Sequence, residues 1–177
     1  MRLLQVIMLS ICCGLLANNA FSETSKKYDG GNYTISLPDG WKTNRLQLDN
    51  GLSVESSYSN KVKINILSDS ADYDSMAKDG YKYMSNDYAK FINNEMFSHL
   101  SSLVCKSKPA MNKPYTKKHG HSKAIYNTHK CDDLTITYAF ILDTNKAYTI
   151  AGIVDKQNLI MQKTINKSID SFESKTR

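Results

Sequence analysis

Alternating apolar and polar residues mark several short segments of the chain as half-buried β-strands. Strands are predicted over residues 32–37, 46–48, 52–58, 62–67, 100–106, 123–131, 134–142 and 147–154. In the first of them Tyr33, Ile35 and Leu37 share one face. Ser59-Asn60 is predicted to turn between the third and fourth strands, and residues 108–121, which contain Pro109, Pro114 and Gly120, are predicted to form a loop.

Two other segments repeat their apolar residues every three or four positions, which is the period of a helix with one buried face. In residues 73–93 the stripe is Ala77, Tyr81, Met84, Tyr88 and Phe91, and Ser70 or Asp72 is the predicted cap. In residues 156–173 it is Met161, Ile165, Ile169 and Phe172, with Leu159 or Ile160 where the stripe begins. Because short turns join most strands, the order predicts an α+β fold with an antiparallel sheet flanked by two main helices.

The first 22 residues have the layout of a secretory signal peptide. Arg2 precedes an apolar run over residues 3–17, and Ala20-Phe21-Ser22 offers a cleavage site after Ser22. The run is shorter than the roughly 20 residues that span a bilayer as a helix. We therefore expect export to the periplasm and a mature chain without a transmembrane segment. An uncleaved anchor and a lipoprotein are the alternatives, but Ile11 before Cys12 is bulkier than a lipobox favours.

The expected mature chain divides into a polar, Gly-rich lead-in at residues 23–31, which we predict to be flexible, and a single domain at residues 32–173. The full chain carries a net charge of +6, and removing residues 1–22 takes away only one charge, that of Arg2. Lysines cluster only at residues 26–27, 106–108 and 117–118, so no continuous basic stripe is predicted. We expect a solvated surface, with an acidic protein surface or anionic lipid as the alternative partner, and no nucleic acid.

Two cysteines, Cys105 and Cys131, remain after the predicted cleavage. In an oxidising compartment they are expected to form one disulfide. The alternative of a catalytic thiol lacks support, because neither cysteine belongs to a Cys-x-x-Cys pair or lies at the start of a predicted helix.

The sequence contains no strong catalytic motif: there is no Gly-x-Ser-x-Gly, phosphate-binding glycine loop or His-Glu-x-x-His. Asp132-Asp133 is interpreted as a turn at a strand edge. His119, His121 and His129 could bind a transition metal if residues 115–131 fold back on themselves, whereas solvated surface histidines are the alternative. No cofactor is predicted.

Tyrosine is the residue type that most suggests an interface, with eleven in the chain and several in or beside the first predicted helix. Most fit core packing. Tyr83 falls outside the predicted buried stripe, and with Lys82 and Asp87 it forms a candidate partner-binding face.

Two stretches resemble the PsbP-like superfamily, which includes the periplasmic DcrB-like proteins. The first is Tyr33-Thr-Ile-Ser-Leu-Pro-Asp-Gly-Trp41, and the second is the strand at 148–154 followed by a helix that closes on Ile169-Asp-Ser-Phe172. The resemblance covers roughly residues 32–172. It implies an α/β/α sandwich around an antiparallel sheet, Trp41 in the core, no catalytic residues, and protein binding as an assembly factor, a toxin adaptor or an envelope protein.

The cysteine pair and the loop at residues 115–123, with Lys117 and Lys118, are not part of the matched pattern, and there we expect this chain to differ in its partner. The first hypothesis is a non-enzymatic periplasmic protein-binding module, in concrete form an immunity protein that blocks a secreted antibacterial toxin. The second is a DcrB-like envelope accessory or assembly factor. The third is a metal-binding protein or enzyme, which requires His119, His121 and His129 to converge.

Overall fold

A computed structural model describes residues 24–46, 51–56, 59–70, 84–120, 122–143 and 146–175. The predicted signal peptide, Lys82, Tyr83 and His121 lie outside these residues. Within them, no helix combines the length and the hydrophobicity needed to cross a bilayer.

Two antiparallel sheets contain all eleven described strands. The strands are β1 (Ser25–Asp29), β2 (Tyr33–Pro38), β3 (Lys42–Arg45), β4 (Leu52–Ser56), β5 (Ser59–Ser70), β6 (Ala110–Met111), β7 (Tyr115–His119), β8 (Ser122–Cys131), β9 (Leu134–Asp143), β10 (Lys146–Asp155) and β11 (Glu173–Ser174). The large sheet has the order β3-β4-β5-β10-β9-β8-β6, with β7 also paired to β8, and the small sheet has the order β1-β2-β11.

Helices cover both faces of the large sheet. Helix α1 is continuous but changes pitch, with α-helical Asn86–Ile92, a π-helical turn Asn93–Phe97 and α-helical Ser98–Ser102. Helix α2 spans Leu159–Asp170. One core lies between the large sheet, α2 and the small sheet, and the other lies between α1 and the opposite sheet face. The predicted α+β sandwich is confirmed.

Helix α2 packs on β10 as the sequence predicts. Met161, Ile165, Ile169 and the following Phe172 are all buried. Gly152 of β10 permits this close approach, because a side chain there would run into Ile165. The predicted start of the stripe is wrong, since Leu159 and Ile160 are 65% and 57% exposed. The helix begins only after Asn158, whose side chain accepts a hydrogen bond from the Met161 backbone N–H.

Helix α1 begins at Asn86, and positions 73–83 of the predicted helix lie outside the described residues. Ser70 ends strand β5, and Ser85 is the observed cap, because its Oγ accepts the Tyr88 backbone N–H at 3.1 Å. Met84, in the left-handed region at φ 53°, separates the helix from what precedes it. Tyr88 is buried as predicted, but Phe91 is 38% exposed. Ala77, Tyr81 and Asp72 lie outside the described residues.

Several other boundaries differ from the prediction. Residues 100–106 are not a strand, because α1 continues to Ser102 and a turn follows. The predicted loop at 108–121 contains β6 and β7, and the predicted flexible lead-in contains β1; each of these strands forms by pairing with β8 or β2. A strand occurs at Lys42–Arg45 and Leu46 follows it, while Leu48 of the strand predicted at 46–48 lies outside the described residues; Ser59 and Asn60, the predicted turn, belong to β5.

Candidate partner-binding surface

The disulfide lies at one end of the sandwich and joins the two layers there. The structure pairs Cys105 with Cys131, as predicted, with their Cα atoms 5.7 Å apart. Cys131 ends β8, while Cys105 follows α1 in the loop at residues 103–107. The bond therefore fixes that loop against the edge of the β8–β9 turn.

The turn itself is anchored on both sides. The Asp132 carboxylate accepts hydrogen bonds from Ser107 Oγ at 2.7 Å and the Lys106 backbone N–H at 2.9 Å, and both lower the pKa of Asp132. Asp133 accepts Lys61 Nζ at 2.8 Å, which lowers its pKa, and its carbonyl accepts the Lys156 backbone N–H at 2.6 Å. Asp132-Asp133 thus forms the predicted turn and ties three distant segments together.

We call this region the stapled end: the β8–β9 turn, the loop at residues 103–107 and residues 155–160. It carries the three most exposed large aliphatic side chains of the described residues, which are Leu103, Leu159 and Ile160 at 70%, 65% and 57% exposure. Such side chains grouped at one end of a domain are typical of an interaction surface.

Two clefts flank the turn. On the α2 side an open cleft of about 1080 Å³, the acidic cleft, is lined by Asp132, Asp133, Asp155, Lys156, Gln157, Asn158, Leu159 and Ile160. On the α1 side a smaller cleft of about 360 Å³, the lysine cleft, is lined by Lys61, Lys63, Val104, Lys106, Leu134 and Ile153, with Asp132 and Asp133 at its edge. The turn is the ridge between them.

The three predicted partner-binding residues that the structure describes, Asp87, Lys117 and Lys118, lie elsewhere. Lys117 of β7 forms an ion pair with Asp170 at 2.7 Å and lies over the Tyr126 ring, and Lys118 is exposed. Asp87 is exposed and pairs with Lys90 at 3.2 Å in the first turns of α1. That part of α1 contacts β7, and β7 pairs with the first half of β8. Cys131 and the stapled end lie at the other end of β8.

The histidines do not converge on one site. Both ring nitrogens of His119 are occupied, Nδ1 by the Tyr126 hydroxyl at 2.5 Å and Nε2 by the Phe172 carbonyl at 2.7 Å. His119 therefore belongs to the α2 side of the sheet, whereas His129 lies beneath α1 on the opposite face. The described residues hold no group of three metal-ligating side chains. The predicted convergence of His119 and His129 is wrong: His119 ends β7 and pairs with Ser122 of β8, and positions 122 and 129 of β8, an odd number of residues apart, point to opposite faces.

His129 instead belongs to a buried polar network under the π-helical turn. Ser101 Oγ lies 2.7 Å from His129 Nδ1 and 2.8 Å from the Tyr138 hydroxyl, and His129 Nε2 lies 3.0 Å from Asn93 Oδ1. One assignment satisfies every contact: Tyr138 donates to Ser101, Ser101 donates to His129 Nδ1, and His129 Nε2–H donates to Asn93. His129 is then neutral.

Asn127 completes the network. Its Nδ2 donates to the Asn112 carbonyl at 2.9 Å and to Asn93 Oδ1, which uses both of its hydrogens, so its 3.2 Å approach to His129 Nε2 is a contact and not a hydrogen bond. The Thr128 backbone N–H donates to Asn127 Oδ1 at 2.7 Å. The network attaches α1 to β8 and β9.

The network contains the residue types of Ser-His catalysis but has no access to solvent. Ser101 and His129 are fully buried, and Phe97 and Tyr138 pack against the His129 ring. The sequence analysis missed this cluster. The signal that could have found it is the alternation in β8, where Ile125, Asn127 and His129 share one face.

Acid should destabilise the domain through His129. Burial lowers the pKa of His129 to about 4, against 6.5 unfolded. The unfolded chain therefore binds the proton first, and the free energy of unfolding should fall as pH drops from about 6.5 to about 4, by about 3 kcal/mol. Urea unfolding at pH 4 and pH 7 measures this change. His129→Gln should have a smaller pH dependence, and an equal dependence in both proteins would contradict the prediction.

Comparison with known proteins gives the fold but no sequence family. The cyanobacterial PsbP homologue CyanoP from Synechocystis sp. PCC 6803 superposes with a TM-score of 0.65 at 8% identity, covering 88% of this chain and 95% of CyanoP. A protein of Bacteroides thetaiotaomicron VPI-5482 gives 0.56 at 11% identity, covering 89% of this chain and 50% of that one.

A third solved structure is LpqN, involved in cell envelope biogenesis of Mycobacterium tuberculosis. It gives a TM-score of 0.49 at 10% identity, covering 85% of this chain and 89% of LpqN. No protein-family model and no curated protein sequence matches the chain. The chain has a PsbP-like fold, as its resemblance to that superfamily implied.

Proposed function

We propose that this PsbP-like domain is a non-enzymatic protein-binding module of the bacterial envelope, and that the stapled end is its binding surface. One observation carries the proposal: three aliphatic side chains are exposed on an end of the molecule that a disulfide and the Asp132 and Asp133 hydrogen bonds hold rigid. Burying each such side chain against a partner contributes about 1.5–3 kcal/mol.

Rigidity makes this surface more effective for binding. Association costs free energy when loops and side chains must be ordered, and a surface that is ordered beforehand avoids part of that cost. At the stapled end the loop at residues 103–107, the β8–β9 turn and residues 155–156 are cross-linked before any partner arrives. The exposed aliphatic residues would supply the apolar centre of the interface, and the surrounding lysines and aspartates its polar rim.

The absence of enzymatic activity is part of the proposal. Ser101 and His129, the Ser-His pair beneath α1, are buried and saturated with internal hydrogen bonds, so a substrate has no path to them. A stoichiometric binding role needs no such path. If the purified protein converted any substrate and Ser101→Ala abolished that activity, the proposal of a non-enzymatic protein would be contradicted.

The proposed compartment is the periplasm. The signal-peptide pattern of residues 1–22 supports export, and a disulfide persists in an oxidising compartment. In its most specific form, the partner is a secreted antibacterial toxin and the protein confers immunity; the alternative form is a DcrB-like envelope accessory factor. Loss of the gene should sensitise cells to toxin-producing neighbours in the first case, and should instead alter an envelope complex in the second.

Introducing charges into the apolar surface of the stapled end tests the proposal. In cells that express the full chain, cross-linking followed by mass spectrometry should recover a partner, and Leu103→Asp with Leu159→Asp should reduce its recovery by about tenfold or more. Tyr115→Asp, which replaces a 55% exposed side chain of β7 opposite Tyr126 of β8, is the control and should leave recovery unchanged. Equal recovery with all variants, at equal periplasmic levels, would refute the binding surface.

A further inference from the structure

We infer that the lysine cleft binds an extended acidic segment of the partner protein, with one apolar side chain in the cleft and carboxylates on either side of it. The inference rests on the proposed function and names the chemistry that one half of the stapled end recognises. It is carried by the shape of the cleft, by its uncompensated charge and by the disulfide that forms one of its walls.

The floor of the cleft is apolar and its volume matches a side chain. Buried Ile153 of β10 and half-buried Leu134 of β9 form the base, and Val104 of the loop after α1 forms the wall. A volume of about 360 Å³ accommodates one or two side chains but not a folded element. A short segment that presents a leucine-like side chain therefore fits it.

The charge around that floor is positive on balance, because three lysines and two aspartates line the cleft, which leaves a net charge of +1. The carboxylates at the edge are already satisfied, Asp132 by two hydrogen bonds and Asp133 by Lys61. Lys63 and Lys106 have no ion-pair partner among the described residues. Glu55 lies opposite Lys63 across β4 and β5 without forming an ion pair, and Lys106 is near enough to Asp133 to contribute to its lowered pKa.

Carboxylates on a bound segment would supply the missing partners. Exposed ion pairs contribute only about 0–1 kcal/mol each, so the apolar floor provides most of the affinity while the lysines select the sign of the partner's charge. The net charge of +6 for the full chain acts in the same direction, because it attracts acidic proteins and repels basic ones.

The disulfide sets the width of the cleft. Cys105 lies between Val104 and Lys106, so the bond to Cys131 positions a wall residue and a charged residue at once. The opposite wall, Lys63 of β5, belongs to the large sheet. Recognition of an acidic segment should therefore require the oxidised protein.

A peptide titration tests the inference. The probe is a capped heptapeptide of alternating glutamate and leucine, added to the isotope-labelled exported protein and followed by NMR. We expect shifts at Lys63, Val104, Lys106 and Ile153 that weaken with salt. Matched peptides of alternating lysine and leucine, or glutamate and glycine, should bind at least about tenfold more weakly, a difference of about 1.4 kcal/mol.

Variants of the protein locate the site. Lys63→Glu with Lys106→Glu should weaken binding of the glutamate-leucine peptide about tenfold or more, whereas Lys163→Glu with Lys167→Glu, an equal charge change on the exposed side of α2, should change it less than about twofold. Lys63→Gln with Lys106→Gln should give an intermediate loss. The inference would be overturned if Lys63→Glu with Lys106→Glu bound the glutamate-leucine peptide as well as the parent does. It would also be overturned if the lysine-leucine peptide bound as tightly as the glutamate-leucine peptide, or if the NMR shifts were confined to other surfaces. Tighter binding to phosphatidylglycerol vesicles than to the peptide would also overturn it.

The cross-linking experiment separates this inference from the proposed function. If Lys63→Glu with Lys106→Glu retains the partner while Leu103→Asp with Leu159→Asp loses it, the stapled end binds the partner but the acidic segment is refuted. If both pairs of substitutions retain the partner, the proposed function fails as well. If both pairs of substitutions lose the partner and the glutamate-leucine peptide binds as expected, the results support both the proposed function and the acidic segment.

Discussion

Replacing Trp41 with alanine should lower the free energy of unfolding by about 3–5 kcal/mol. Trp41 is the only tryptophan and is 9% exposed, in the core that also contains Leu37, Val54 and Phe172. It follows the turn after β2, where Gly40 has a φ of 80° that glycine adopts without strain. Loss of the indole would leave a cavity beneath the small sheet. Urea unfolding followed by far-UV circular dichroism measures the change, because the variant has no tryptophan fluorescence.

The conservative variant separates volume from hydrogen bonding. Trp41 Nε1 is buried without a hydrogen-bond partner among the described residues, so Trp41→Phe removes a polar atom that gains nothing in the core. Trp41→Phe should therefore cost less than half as much as Trp41→Ala. If the free energy of unfolding of Trp41→Ala lay within about 1 kcal/mol of the parent value, Trp41 would not be a core residue.

Removing the disulfide should have the second large effect. The Cys105–Cys131 bond has a sequence separation of 26 residues, and constraining such a loop in the unfolded chain stabilises the protein by about 3 kcal/mol in the chain-entropy account. Replacing both cysteines with alanine should lower the free energy of unfolding by about that amount, measured by urea unfolding at neutral pH.

Reduction provides the control for that variant. The parent protein treated with dithiothreitol should lose the same stability, while the double-alanine variant should not respond to the reductant. The variant should also bind the glutamate-leucine peptide more weakly, because the loop that carries Val104 and Lys106 is no longer fixed. Reactive thiols in the denatured, unreduced parent would contradict the disulfide itself.

The strands that could be predicted closely are those whose apolar faces are buried. Strands β8, β9 and β10 lie within one or two residues of the predicted bounds, because alternation along a strand records which face contacts a core. The stripe of α2 was also predicted, since Met161, Ile165 and Ile169 follow the regular helical period. The superfamily resemblance joined these elements into the correct sandwich.

Two kinds of element could not be predicted from local pattern. Helix α1 contains the π-helical turn Asn93–Phe97, which shifts the helical period, so its last residues no longer continue the stripe set by Tyr88. Strands β1 and β7 have exposed, lysine-containing sequences without a buried face, and they form because β2 and β8 offer open edges. In both cases the deciding interactions come from distant parts of the chain.

The candidate site was only partly foreseen for the same reason. The number of cysteines predicted the disulfide, and the Asp132-Asp133 pair predicted the turn. The surface, however, needs Lys61, Leu103 and Leu159, which are separated by dozens of residues and come to the same end of the domain only after folding. His119 and His129 were interpreted together because they are close in sequence, but the sheet places them on opposite faces.

The small sheet has a practical consequence for protein engineering. β1 and β11 both pair with β2, and Lys175 reaches back to Asp29 with an ion pair of 2.6 Å. Residue 24 precedes the end of β1 that pairs with Pro38, whereas Lys175 contacts Asp29 at the other end of β1, so the two lie at least about one strand length apart, roughly 17 Å. A linker that joined residues 175 and 24 in a circular permutant would have to run the length of β1, and a fluorophore placed just before β1 would lie at the opposite end of the small sheet from one placed just after β11.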